Sequence, residues 1–76
     1  MIETKAVFVE QSQGEFEGTV YNNLYLIIEG SHYALKAVNA SPNKILPYSE
    51  GDVVDVKLSL GANKKHEPVV RLVEIS

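Results

Sequence analysis

Residues 14–38 read GEFEGTVYNNLYLIIEGSHYALKAV and carry four of the six aromatic residues: Phe16, Tyr21, Tyr25 and Tyr33. From Tyr21 onward the stretch alternates. Asn22, Leu24, Leu26 and Ile28 fall on one face of a strand, and Tyr21, Asn23, Tyr25 and Ile27 on the other. Aliphatics inside, with aromatics and amide outside, is the expected orientation. Glu29-Gly30-Ser31-His32 is expected to close a hairpin, with Gly30 free to take positive φ. Residues 32–38 then form a strand whose faces are Tyr33, Leu35 and Ala37 against His32, Ala34, Lys36 and Val38. Sharing a face with Leu35 predicts that Tyr33 packs in the core.

Outward from this hairpin the same period recurs. Residues 2–11 read as a strand with Ile2, Thr4, Ala6 and Phe8 on one side and Glu3 and Lys5 on the other. Val7 and Val9 break that alternation, which predicts burial on both faces or a bulge. Ser12-Gln13-Gly14 is a turn signal, so the second strand is expected over 15–29, exposed and twisted at Glu15, Glu17 and Gly18. Asn39–Glu50 contains Pro42 and Pro47 and reads as a connection, with one helical turn near Asn43–Leu46. Tyr48 in this connection is expected to plug a barrel end. After the Gly51-Asp52 turn, Val54, Val56, Leu58 and Leu60 alternate with Asp55, Lys57 and Ser59. Residues 61–67 form a polar, basic loop, and 68–75, PVVRLVEI, a fifth strand that Pro68 suits as a start.

Five strands in 76 residues predict one all-β domain over 1–76, a small five-stranded antiparallel barrel. An OB-fold and an SH3-like barrel both fit. Long first strands, a connection between strands three and four and a final hairpin favour the OB-like barrel.

Composition narrows the function classes. There is no cysteine, so neither a disulfide nor a thiolate zinc site is available. No signal-peptide pattern appears, and no apolar run approaches the ~20 residues of a membrane span. A cytoplasmic protein with no membrane partner is the expectation. His32 and His66 sit in predicted turns without a metal-spaced partner. The serines occupy no nucleophile elbow, and Gly14 and Gly18 precede no phosphate loop. The expectation is therefore a non-enzyme with no cofactor, no metal and no small-molecule substrate. Net charge is −3, but its distribution is uneven. Residues 1–31 hold one lysine and five glutamates, and the later cations are Lys36, Lys44, Lys57, Lys64, Lys65 and Arg71.

What remains is aromatic, amide and basic chemistry on a small barrel. Bases stack on aromatic faces, amides reach base edges, and cations follow the phosphates. Phe16, Tyr21, Asn23, Tyr25, Tyr33, Lys36, Lys64, Lys65 and Arg71 are the candidate nucleic-acid-binding residues. Each has a structural competitor. Tyr21 and Tyr25 can pack across the barrel or beneath the 39–50 connection. Lys64 and Lys65 can be a solvated loop tip, and Arg71 can snorkel to an edge or line a groove or dimer interface.

The pattern GEFEGTVYNNLYLII, GSHYALKAV, a Pro-containing loop, GDVVDVKLSL and VVRLVEI resembles the helix-destabilising proteins of filamentous phages and related mobile elements. The matching positions are Gly18 and Tyr21, Gly30 and Tyr33, Pro47 and Tyr48, and Arg71-Leu72. The resemblance implies an OB-fold homodimer that coats single-stranded DNA during replication without sequence preference. It also implies aromatic contacts from Tyr21 and Tyr33 and phosphate contacts from Arg71 and Lys36. The family's second-strand hairpin is rich in Arg or Lys, whereas residues 11–31 here have neither. That moves the expected phosphate path toward Lys36, Lys44, Lys64 and Lys65. The alternatives are a protein-interaction module without nucleic-acid binding, and a DNA mimic built on Glu3, Glu10, Glu15, Glu17 and Glu29.

Overall fold

The computed structural model describes residues 1–39 and 45–76, with Phe16 described through its backbone only. The strands are β1 (Ile2–Phe16), β2 (Thr19–Ile28), β3 (Leu35–Asn39), β4 (Val53–Ala62) and β5 (Pro68–Ile75). They close a barrel in the order β1-β2-β3-β5-β4. The all-β, OB-like expectation holds, with one refinement: β3 and β5 run parallel, joined at Ala37–Val70 and Val38–Arg71, while every other pair is antiparallel. No helix among the described residues is long and apolar enough to cross a membrane.

β1 serves two neighbours, and this explains its broken alternation. Its first half, Ile2–Val7, pairs with β4; from Ala6 to Phe16 it pairs with β2. The register slips between Phe8 and Glu10, so Val9 sits in a bulge that bends the strand from one partner to the next.

Several boundaries differ from the sequence expectation, among them the end of β4: Gly61 and Ala62, expected in the 61–67 loop, are the last two residues of the strand. Ser12-Gln13-Gly14 is not a turn, because all three residues stay in the ladder opposite Asn23, Asn22 and Tyr21. The chain reverses instead at Glu17-Gly18, between the paired Phe16 and Thr19. Both turn residues have positive φ, 51° and 80°, the combination that matches the right-handed twist of a two-residue hairpin. The third strand also starts later, at Leu35 rather than His32. Gly30 takes φ 87°, and the Ser31 amide donates to the Ile28 carbonyl at 2.8 Å. The Ser31 hydroxyl then accepts from the Tyr33 amide and donates to the Tyr33 carbonyl. This local turn takes Tyr33 out of strand phase. Its side chain is 84% exposed rather than in the core.

Inside the barrel sit Ala6 and Phe8 of β1, Leu24 and Leu26 of β2, Ala37 of β3, and Val54, Val56 and Leu58 of β4. Fully burying a side chain of the Val or Leu class stabilises by about 1.5–3 kcal/mol, so these alternating positions carry the fold. Leu46 joins the core from the connection between β3 and β4. Tyr48 packs there too, its ring centroid 6.0 Å from that of Phe8 with the planes tilted by 43°, in keeping with the expected plug. Of the helical turn expected near Asn43–Leu46, the first two residues lie outside the described residues; Ile45 and Leu46 are not helical.

Candidate nucleic-acid interface

Strand register decides what shares the outer face. Residues two apart point the same way, and the inward set is fixed by Leu24, Leu26 and Ala37. The outward set on β2 is therefore Tyr21, Asn23, Tyr25 and Ile27, on β3 Lys36 and Val38, and on β5 Val69 and Arg71. One row across the barrel runs Ser12, Asn23, Val38, Arg71, Ser59, each opposite the next. The neighbouring row runs Glu10, Tyr25, Lys36.

Tyr21, Asn23, Val38, Val69 and Arg71 line a shallow concavity of about 360 Å³, to which β1 contributes Gly14 and Glu15. Two strand glycines lie against its polar heads. A Cβ on Gly14 would lie 3.5 Å from the Asn23 amide nitrogen, and one on Gly61 would lie 2.9 Å from Nη1 of Arg71.

Three of the expected site residues, Tyr21, Asn23 and Arg71, thus meet in one concavity, and Tyr25 and Lys36 sit opposite each other in the next row. The others are elsewhere. Tyr33 projects from the turn before β3. Lys64 and Lys65 are exposed on the loop between β4 and β5. That loop folds around Asn63, whose side-chain oxygen accepts from the Lys65 and Glu67 amides at 2.9 and 3.1 Å. Two residues beyond Glu67 the chain reaches Val69, in the concavity. The side chain of Phe16 and the whole of Lys44 lie outside the described residues.

Ion pairing divides the cations. On the β1–β4 side, Lys5 meets Asp55 at 3.0 Å, and Lys57 meets Glu3 at 3.3 Å and Glu74 at 3.5 Å. The hydrogen bond to Glu3, then the negative charge of Glu74 and Glu3, raise the Lys57 pKa above the ordinary lysine value. These charges border the barrel's larger open depression, about 550 Å³. Lys36, Lys64, Lys65 and Arg71 make no ion pair among the described residues. Among the described residues, the lysine and arginine side chains without carboxylate partners are therefore on the β3–β5 face and the adjoining loop. Glu15 and Glu10 temper the positive character of that face on its β1 side.

Gly61, Val38 and Val69 were not singled out from the sequence. Gly61 was expected in the 61–67 loop; the usable signal was its place directly after the Val54–Leu60 alternation, where a glycine can mark a close approach within the strand. Among the described residues no group of three or more His, Cys, Asp or Glu is placed to hold a metal ion. No protein-family model, no curated protein and no solved structure matches this chain.

Proposed function

We propose that the chain binds single-stranded DNA without sequence preference on the outer face of β2, β3 and β5. The observation that carries this reading is the meeting of Tyr21, Asn23 and Arg71 in one concavity, with the Tyr25–Lys36 pair beside it. Bases stack on the tyrosines, at about 1–3 kcal/mol per base. The Asn23 amide reaches a base edge or sugar, and Arg71, Lys36 and the Lys64-Lys65 loop meet phosphates. With two to four phosphates neutralised, log K falls against log salt with a slope of roughly −1.5 to −3.

Fluorescence anisotropy of labelled oligo-dT at low salt tests this. Tyr21→Ala with Tyr25→Ala is expected to weaken binding at least about tenfold, given the stacking energy per base. Absence of binding at tens of micromolar protein overturns the reading, and so does unchanged affinity in the double variant.

One observation favours a second reading, a protein-interaction module. Val53, Val7 and Ile27 lie side by side across β4, β1 and β2 on the outside of the barrel, around an apolar hollow of about 210 Å³. Val53 is 67% exposed. Val7→Glu separates the two readings. It abolishes a protein contact on that strip and leaves oligonucleotide affinity unchanged.

A further inference from the structure

We propose that Gly61 is a positioning residue, holding the Arg71 guanidinium over the concavity as the phosphate anchor for a bound oligonucleotide. The proposal rests on the single-stranded DNA reading above. Gly61 lies within β4, where glycine weakens a strand because it has no side chain to pack and loses more chain entropy on folding. Its backbone does not call for glycine: Gly18, Gly30 and Gly51 have positive φ, and Gly61 does not. What the position requires is space.

Gly61 pairs with Val69, and Arg71 with Ser59. Arg71 therefore reaches diagonally along β4, a distance that long side chains span, and lays its guanidinium over Gly61. A Cβ there would stand 2.9 Å from Nη1 and 3.9 Å from Cζ, and the first is closer than real Cβ contacts. At Gly14 the equivalent atom would stand 3.5 Å from Asn23, an ordinary contact, so the constraint is particular to Gly61.

Gly61 thus leaves the room in which the guanidinium lies. The guanidinium has no carboxylate partner among the described residues, and its five donors stay available for a planar fork onto phosphate oxygens. Holding it in place beforehand reduces the ordering cost of each contact. Tyr21 and Asn23 border the same concavity, so a strand stacked on Tyr21 has its backbone within reach of Arg71.

Gly61→Ala is a clean probe, because the clashing atom is the far end of a flexible side chain and the fold need not yield. The experiment is an oligo-dT titration over a salt series with wild type, Gly61→Ala, Arg71→Ala and the double variant. A thermal melt of each confirms folding. Gly61→Ala is expected to keep the wild-type midpoint yet lose several-fold in affinity. Its salt slope flattens by about 0.7, the loss of one phosphate contact to a single strand. Arg71→Ala does the same, roughly tenfold in affinity, and the double variant is no weaker than Arg71→Ala alone. A loss of stability by itself would leave the salt slope of the folded protein unchanged.

The positioning role is overturned if Gly61→Ala keeps wild-type affinity and slope while Arg71→Ala loses both, or if the two losses add. The Arg71 Nε–H resonance in the free protein is a readout independent of DNA and is expected to shift in Gly61→Ala. If it shifts but the wild type binds no oligonucleotide, the packing stands and the DNA reading fails, taking the anchor role with it. If it does not shift, the positioning role fails whatever the protein binds.

Discussion

The side-chain amide of Gln11 pairs with the backbone of Leu46 as a neighbouring strand would. Nε2 donates to the Leu46 carbonyl at 2.7 Å, and Oε1 accepts from the Leu46 amide at 3.0 Å. The two residues are 35 positions apart, so one side chain fixes the connection between β3 and β4 onto β1. It also satisfies both backbone groups of a residue that is only 5% exposed. Each such hydrogen bond contributes a net ~0.5–1.5 kcal/mol. Gln11→Ala is therefore expected to cost about 1–3 kcal/mol, which in a domain of this size lowers the melting midpoint by roughly 5–20 °C. Gln11→Glu keeps the acceptor but loses the donor and falls between the two. A Gln11→Ala midpoint within a degree of wild type would show that the pairing contributes nothing.

Glu17 and Gly18 both carry positive φ, and only one of them is glycine. The turn thus places a non-glycine residue in a region that costs roughly 1 kcal/mol for ordinary side chains and less for asparagine. Glu17→Asn is expected to stabilise by about 0.5–1 kcal/mol, since Asn-Gly is the favoured two-residue hairpin turn. Gly18→Ala is expected to destabilise by about 1 kcal/mol, because nothing crowds that position and the whole cost is conformational. Urea unfolding of the two variants checks both signs. A stable Gly18→Ala would mean that the hairpin reverses elsewhere.

The sequence carried the barrel through most of its alternating runs, although Leu60, in phase with Leu58 and expected beside it, is 68% exposed. Val54, Val56 and Leu58 are buried as their spacing requires, and β5 spans the expected Pro68–Ile75. Legibility failed where local chemistry competed with the ladder. Ser12-Gln13-Gly14 has turn composition, yet pairing with β2 outweighs it, because leaving the ladder there would orphan backbone groups that the strand pairing satisfies. Tyr33 has the phase of a core residue, but the Ser31 hydroxyl bonds capture its backbone first. The parallel β3–β5 contact and the Gln11–Leu46 pairing are long-range, and no local pattern encodes them. At the candidate site, residue types pointed to Tyr21, Asn23 and Arg71, but only register reveals that they converge and that Lys64, Lys65 and Tyr33 stand apart from the concavity.

Lys57 lies between Glu3 and Glu74, one on each neighbouring strand, and its pKa is raised above 10.5, first by the hydrogen bond to Glu3 and then by the charge of Glu74 and Glu3. A lysine whose folded pKa exceeds its unfolded one adds stability that is fully present below the unfolded value. That stability is lost as pH climbs through the folded value. Lys57→Met is accordingly expected to melt below wild type at neutral pH, with the gap closing as pH rises past 10.5. A gap that stays constant, or widens, from pH 8 to 11 would rule out the ion pairs as its source, since exposed pairs of this kind act only through charge.

Glu15 shares the concavity with Tyr21 and Arg71 and is the one carboxylate lining it among the described residues. If single-stranded DNA occupies this face, Glu15 opposes the phosphate path, so its replacement should strengthen binding. Glu15→Gln removes the repulsion and is expected to raise oligo-dT affinity a few-fold with the salt slope little changed. Glu15→Lys adds a cation beside the strand and is expected to steepen the slope by about 0.7, one further phosphate neutralised. The glutamate is exposed and makes no ion pair among the described residues, so neither change should disturb the fold. The control is Glu50, exposed on the connection before β4 and not among the residues lining this concavity. Glu50→Lys raises the net charge by the same amount. If the two lysine variants gain affinity equally, only overall charge is at work. A gain confined to position 15 ties the oligonucleotide to the concavity itself.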